Sequence, residues 1–233
     1  FERLIGGKQI HVLDSGASSQ KPSQVLDAMD GFARHHYANV HRGAYTLSLE
    51  ATMEFERCRS TVARFIGASS PNEVVITRGA TTALNQIAFG WGGEHLSSSD
   101  TILLTTFEHH ANLVPWQMVA RRTGANLDFV PFTEDYLFDV EAFEAKLNPS
   151  VKVVAVTGMS NVLGTLPPLS HIIEQAHSIG AIVVVDAAQL VPHLGIDVTD
   201  LGADFVAVSA HTMLGPTGSG CLGGRVERVE EME

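Results

Sequence analysis

Two hydrophobic patterns alternate along the chain. Runs that are apolar throughout, at Thr101–Thr106, Val151–Thr157, Ala181–Val185 and Asp204–Val208, predict strands covered on both faces. Segments with apolar residues every third or fourth position, at Gln24–Arg34, Leu47–Ile66, Val140–Leu147 and Leu169–Ser178, predict amphipathic helices. Further strands are read at Ile10–Leu13, Glu73–Thr77 and Leu127–Phe132, and Gly220–Gly223 reads as a last strand turning back. Helices are also expected after Arg78–Thr82, running to Trp91, and after Phe107–Asn112, running to Thr123. Asp14–Pro22 is rich in turn formers and His35–Thr46 is irregular. On the long second helix Phe55, Cys58, Val62 and Phe65 recur at helical spacing, which puts Cys58 on the buried face.

Strands alternating with helices predict a three-layer α/β/α domain with a mainly parallel, mixed sheet. Ligands of such sheets sit off the carboxyl ends of the strands. The residues at those ends are Thr81, His109, Asn161, Asp186, Gln189, Ser209 and His211. Seven polar side chains at five strand ends form a constellation rather than a scatter. No internal repeat or interdomain linker interrupts the pattern.

Composition narrows the choice of partners. The 233 residues are 45% apolar, enough for a sizeable core, and carry a net charge of −11. That balance argues against nucleic acid and anionic membrane as main partners. A small anionic ligand remains possible, because backbone amides can bind phosphate locally. Charged residues make up only 18%, which suggests surface covered by a partner or a further domain. No run reaches the length of a membrane span, and no secretory signal opens the chain, so a cytoplasmic location is the expectation. Cys58 and Cys221 make no disulfide framework.

Several stretches carry chemistry. Arg78–Thr82 joins a strand to a helix through Gly79, Ala80, Thr81 and Thr82. Free amides and a hydroxyl at such a turn suit a phosphate, and equally an ordinary helix cap. Asp186 ends an apolar strand, where an unpaired carboxylate is costly. It is a cap, a metal ligand or the partner of a protonated ring nitrogen. No other carboxylate or cysteine has metal-ligand spacing, so no metal is expected. His109 and His110 are adjacent, so their side chains point apart and one of them faces the site. Gly215–Gly220 has P-loop glycine spacing, but Cys221 stands at the lysine position. Gly218–Gly223 matches a dinucleotide fingerprint without opening a helix. The turn is read instead as a close approach to a ligand or a second subunit. Neither cysteine has an activating base nearby in sequence, and both are read as core.

Seven stretches together carry a resemblance: LDSGASSQKP (13–22), NVHRGAYTLS (39–48), ITRGATTALN (76–85), FEHHANLVPWQM (107–118), SNVLGTLPPL (160–169), VVDAAQLVPH (184–193) and SAHTMLGPTGSG (209–220). The chain resembles the large domain of fold-type I pyridoxal phosphate (PLP) enzymes, specifically SufS-type cysteine desulfurases of the class V aminotransferase group. The resemblance implies that Thr81, Ser209, His211 and the amides of Ala80–Thr82 hold the cofactor phosphate. It implies that His109 stacks on the pyridine ring, that Asp186 pairs with the ring nitrogen and that Gln189 bonds the ring hydroxyl. Asn161 would lie near the substrate carboxylate, and His41 and Arg42 would line the entrance near a homodimer interface. The implied reaction takes sulfur from L-cysteine, leaves L-alanine and an enzyme persulfide, and passes the sulfur to an acceptor protein for iron–sulfur cluster assembly. The implied organisation is a PLP-binding large domain over 1–225, with 226–233 opening a helix toward an absent C-terminal small domain.

Two departures stand out. The family's Schiff-base lysine follows the histidine of Ser-Ala-His, where this chain has Thr212. A threonine can neither form an imine nor act as an amine base. The lysines present are Lys8, Lys21, Lys146 and Lys152, and none is expected to substitute. The family's nucleophilic cysteine and its carboxylate-binding arginine cannot be placed either. The sequence thus predicts an impaired or inactive enzyme that holds PLP noncovalently at best. Other class V activities, a selenocysteine lyase or an aminotransferase, stay open, as does a non-catalytic binding or dimerisation module.

Overall fold

The structure is a computed structural model and describes residues 3–232. A small antiparallel hairpin of β1 (Leu4–Ile5) and β2 (Lys8–Gln9) precedes α1 (Ser23–His35) and α2 (Thr46–Ile66). Then come β3 (Val74–Thr77) and α3 (Ala80–Gln86), which runs through a π-helical stretch, Ile87–Gly92, into α4 (Gly93–His95). The regular part follows: β4 (Thr101–Thr105), α5 (His110–Thr123), β5 (Asn126–Val130), α6 (Val140–Lys146), β6 (Val151–Thr157), α7 (Leu169–Ser178) and β7 (Ile182–Asp186). The chain closes with α8 (Leu190–His193), α9 (Val198–Leu201), β8 (Phe205–Ser209), β9 (Gly220–Gly224) and α10 (Val226–Glu230). The sequence-predicted helix over 226–233 is therefore α10, and Glu233 lies outside the described residues.

Seven strands form one mixed sheet in the order β3-β9-β8-β7-β6-β4-β5. All run parallel except β9, which is antiparallel to both β3 and β8. The apolar runs are explained by what covers them. Val183, Val185, Val206 and Val208 pack into the core of one face, with Phe143 and Ile172. Ile182, Val184, Phe205 and Ala207 pack into the core of the other, with Trp116 and Leu222. Both sides of the pleat are buried, so period-two alternation disappears. The register puts Thr157 beside Asp186, and Asp186 beside Ala207, so β6 and β7 end level while β8 runs on past them to Ser209.

Three sequence expectations are corrected. Ile10–Leu13 is not a strand, and Leu13 is 92% exposed, because the neighbouring hairpin pairs only with itself. Cys58 is exposed rather than buried. The residues α2 buries are Ser48, Ala51, Ala63 and Ile66, three of them small, which lets the helix lie close to its neighbours, while the larger Phe65 faces outward. The glycine turn makes its close approach to the chain's own backbone. A Cβ on Gly220 would collide with the Val208 carbonyl and the Gly79 Cα, where β9 slots between β3 and β8. The second cysteine fits its expected place: Cys221 is buried on β9, and burial pushes its thiol up to about 12, with Cys58 adding to the shift.

Candidate functional site

The strand ends enclose a cavity of about 430 Å³. Its wall includes Ala80, Thr81, His109, Asn161, Asp186, Gln189, Ser209, His211 and Thr212, nearly the whole sequence-predicted set. Parallel strands deliver these residues because each chain segment leaves the sheet at the same edge. Thr82, His41 and Arg42 are not on this wall. His41, in the segment before α2, packs against that helix instead: its amide donates to Thr52 Oγ1, its ring meets Phe55 edge-on at 5.5 Å, and Nε2 lies 3.2 Å from Glu56.

Ser209, buried at the end of β8, accepts a hydrogen bond from the Ala80 amide at 2.8 Å. The bond crosses β9 and fixes the start of α3 against the end of β8. Gly79 makes that approach possible, with φ of 138° and no room for a bulky side chain beside Ser209 Oγ. The hydroxyl proton of Ser209 takes no partner among the described residues, so this end of the cavity offers a donor beside the Thr81 turn.

Asp186 is buried, and the one hydrogen bond its carboxyl accepts among the described residues comes from the Ala188 amide, 3.1 Å from Oδ1. Burial pushes its carboxyl up; the Ala188 N–H and the nearby His109 pull it back. His109 caps α5, with Nδ1 accepting from the Ala111 amide at 3.1 Å. His110 is exposed and off the cavity wall, its ring 6.3 Å from that of His109. The two imidazoles diverge, as alternation requires. Among the described residues no group of three or more His, Cys, Asp or Glu is placed to hold a metal ion.

Thr212 ends a single 3₁₀ turn, Ala210–Thr212, and is buried on the wall. Its hydroxyl lies 2.9 Å from the Ala188 carbonyl and 3.0 Å from the Ser209 carbonyl. A hydroxyl has one proton, so the two acceptors share it. The side chain ties β8 to the segment after Asp186.

The structure adds residues that the sequence pattern did not single out. Asp14, Gly16 and Ala17 complete the wall. Their segment is strapped down by Ser19, whose Oγ donates to the His211 carbonyl at 2.9 Å and accepts from the Leu214 amide at 2.7 Å. The Ser19 amide donates to the same carbonyl at 2.9 Å. Gln189 Nε2 donates to the Gly16 carbonyl at 2.6 Å, so its amide nitrogen holds the strap. The signal was the run of turn formers at 14–22, which does not say what it folds onto. Glu108, directly before His109, is the other addition.

A three-layer domain carries a helix-opening turn, a buried carboxylate and a histidine at one sheet edge, and sequence comparison gives the family of that domain. The Aminotransferase class-V family matches residues 11–233, and the chain belongs to that family. Its relatives are cysteine desulfurases. A probable cysteine desulfurase of Halalkalibacterium halodurans is 46% identical over 233 residues, covering 100% of this chain and 57% of the relative. A cysteine desulfurase of Enterobacter sp. (strain 638) is 47% identical over 220 residues, covering 94% and 54%. The apo structure of a cysteine desulfurase from Thermococcus onnurineus NA1 superposes with a TM-score of 0.89 at 39% identity, covering 94% of this chain and 55% of that one. The chain thus spans about half the length of these relatives.

Proposed function

We propose that this chain is the PLP-binding half of a cysteine desulfurase-type enzyme, and that Thr212 stands where the covalent lysine is expected, so that PLP is held without a covalent bond. One observation carries the reading: a buried carboxylate, Asp186, faces a cavity of ligand size and makes no salt bridge among the described residues, His109 being the nearby titratable group. A protonated ring nitrogen is the counter-charge that such a group lacks. The rest of the wall fits the other parts of PLP. Ser209, Thr81 and His211, with the Thr81 and Thr82 amides, suit a phosphate; the Ala80 amide, expected to join them, is engaged by Ser209 Oγ. His109 suits the face of a flat ring, and Gln189 a ring hydroxyl through its carbonyl oxygen, the nitrogen being engaged with Gly16.

When bound, PLP supplies an electron sink for bonds broken at an amino acid's α-carbon. The side chains present bind and orient it. Asp186 holds a proton at the ring nitrogen. His109, fixed by its cap bond to Ala111, keeps the ring plane in place. The 14–19 strap excludes water from one side. What the site lacks is an amine: the Thr212 hydroxyl takes no proton at neutral pH and its hydrogen is already shared between two carbonyls. Lys21 donates instead to Ser18 Oγ and the Ser19 carbonyl, and Lys146 pairs with Asp128 at 2.7 Å. Removal of sulfur from L-cysteine, with transfer to an acceptor protein for iron–sulfur clusters, is the activity we assign to the family enzyme containing this domain as a homodimer. In this chain we expect that activity to be impaired.

Equilibrium dialysis tests the reading. The chain should bind PLP saturably, and Asp186→Ala should bind at least about tenfold more weakly, since a charge-assisted hydrogen bond contributes about 1.5–3 kcal/mol. No saturable binding, or equal binding by both, would overturn it.

A further inference from the structure

Glu108 is a buried acid that the proposed chemistry does not use. It sits in the turn between β4 and α5, half-buried as a residue, with its carboxyl enclosed by three donors from three elements. The Thr105 hydroxyl at the end of β4 reaches Oε1 at 2.5 Å. The Thr157 amide at the end of β6, 49 residues away, donates to the same oxygen at 2.8 Å. Asn112 Nδ2 in the first turn of α5 donates to Oε2 at 2.7 Å. Asn112 cannot turn round, because its Oδ1 accepts from Nε1 of the buried Trp116 at 3.3 Å. Both neighbours of this knot stand on the cavity wall: His109 follows Glu108 in the chain, and Thr157 holds it from β6.

We propose that Glu108 is a positioning residue of the site: it clamps the β4–α5 turn to the end of β6, and thereby sets where His109 stands over the cavity. The proposal rests on the PLP reading for the ligand His109 meets, but not for the clamp itself. Without Glu108 the Thr157 amide and the Asn112 side chain lose their acceptor together, and the turn carrying His109 loses its tie to β6, keeping its helix cap, the Thr106 bond to the Val130 carbonyl and the packing of Phe107.

The clamp also responds to pH. Burial pushes the Glu108 carboxyl up to about 8, with the charge of Asp186 on β7 adding to the rise and the three donors opposing it. Asp186 is the charged group that acts on it across the sheet; Thr105, Asn112 and Thr157 are neutral. Below that pH the carboxyl carries a proton and needs one acceptor. Of its three partners only the Thr105 hydroxyl can reverse to become one, since the Thr157 amide and the Asn112 NH₂ are fixed donors. Above it the carboxylate accepts from all three.

Two readouts keep the clamp and the PLP reading apart. NMR of the unliganded chain should show the His109 ring signals moving with an inflection near pH 8 that Glu108→Gln abolishes, because glutamine keeps the shape but cannot titrate. Dialysis should show PLP held about tenfold more weakly by Glu108→Ala, since misplacing a positioned group by about 1 Å can cost on the order of 100-fold. Where alanine unfolds the chain, as far-UV circular dichroism would reveal, glutamine decides through the inflection alone. If the inflection persists in Glu108→Gln, or no inflection exists in the original chain, the proposal is wrong. If the inflection behaves as expected but no variant binds PLP, the clamp stands and the PLP reading falls.

Discussion

On β7 and β8 every residue is buried, whereas α1 buries none. Both were drawn from the sequence by hydrophobic pattern, and both elements are where that pattern put them. The difference lies in what faces them. The central strands meet a helical layer on each side, so Val183 and Val184 are equally enclosed although they point in opposite directions. The amphipathic α1 turns Leu26, at 53% exposure, and Met29, at 49%, to solvent, and Val25, Ala28, Met29 and Phe32 line a shallow apolar groove. A pattern specifies a face; the packing partner must come from elsewhere in the fold. The site sits on the enclosed half, at strand ends whose register is set by buried strands, and is joined to the looser half by the strap at Ser19.

The largest effect should come from the centre. Phe205→Ala, at a fully buried position on β8, should cost about 3–5 kcal/mol in urea unfolding. Ser19→Ala should cost less, about 1–3 kcal/mol, because it leaves the Leu214 amide without its acceptor and frees the strap. Its mark should be faster cleavage within residues 14–22 by a protease, with the centre still folded. Third comes pH. Glu108 binds its proton more tightly in the folded chain than at its ordinary value of 4.5, so the folded state is favoured below about 4.5 and loses that advantage as pH rises through about 8. The thermal midpoint should fall across that window, and Glu108→Gln should flatten the fall. Leu26→Ala on α1 should change stability by no more than about 0.5 kcal/mol, because the side chain has little to lose. A loss as large as that of Phe205→Ala would mean that α1 is covered in solution and that the contrast between the two halves is false.

What the sequence made legible follows the same division. The enclosed strands were readable because covering both faces removes alternation and leaves unbroken apolar runs such as Val151–Thr157. Once the strands are placed, the polar residues just after them have to gather at one edge, which is why Asp186, His109, Ser209 and His211 are expected together, whereas the place of Thr212 comes from the family resemblance. Cys58 is exposed because spacing identifies a stripe but not its direction: α2 turns Ser48, Ala51, Ala63 and Ile66 inward and leaves Cys58 and Phe65 outward. Ile10–Leu13 was misread because a short apolar run becomes a strand only where a sheet edge accepts it. Ser19 and Glu108 were invisible as site residues because their roles are long-range bonds, to His211 and Leu214 in one case and to Thr157 in the other. No local pattern encodes a partner 49 or 192 residues away.

In the proposed reading Thr212 occupies the position from which an amine would reach PLP. Adding PLP to the chain and to Thr212→Lys, and recording the visible absorbance of each, tests it most directly. The lysine variant should gain a band that the threonine chain lacks, and borohydride should then fix the cofactor's mass to the peptide containing position 212. A lysine variant without the band would show that this wall does not face the cofactor, and the same band in the threonine chain would show that another lysine already does the work.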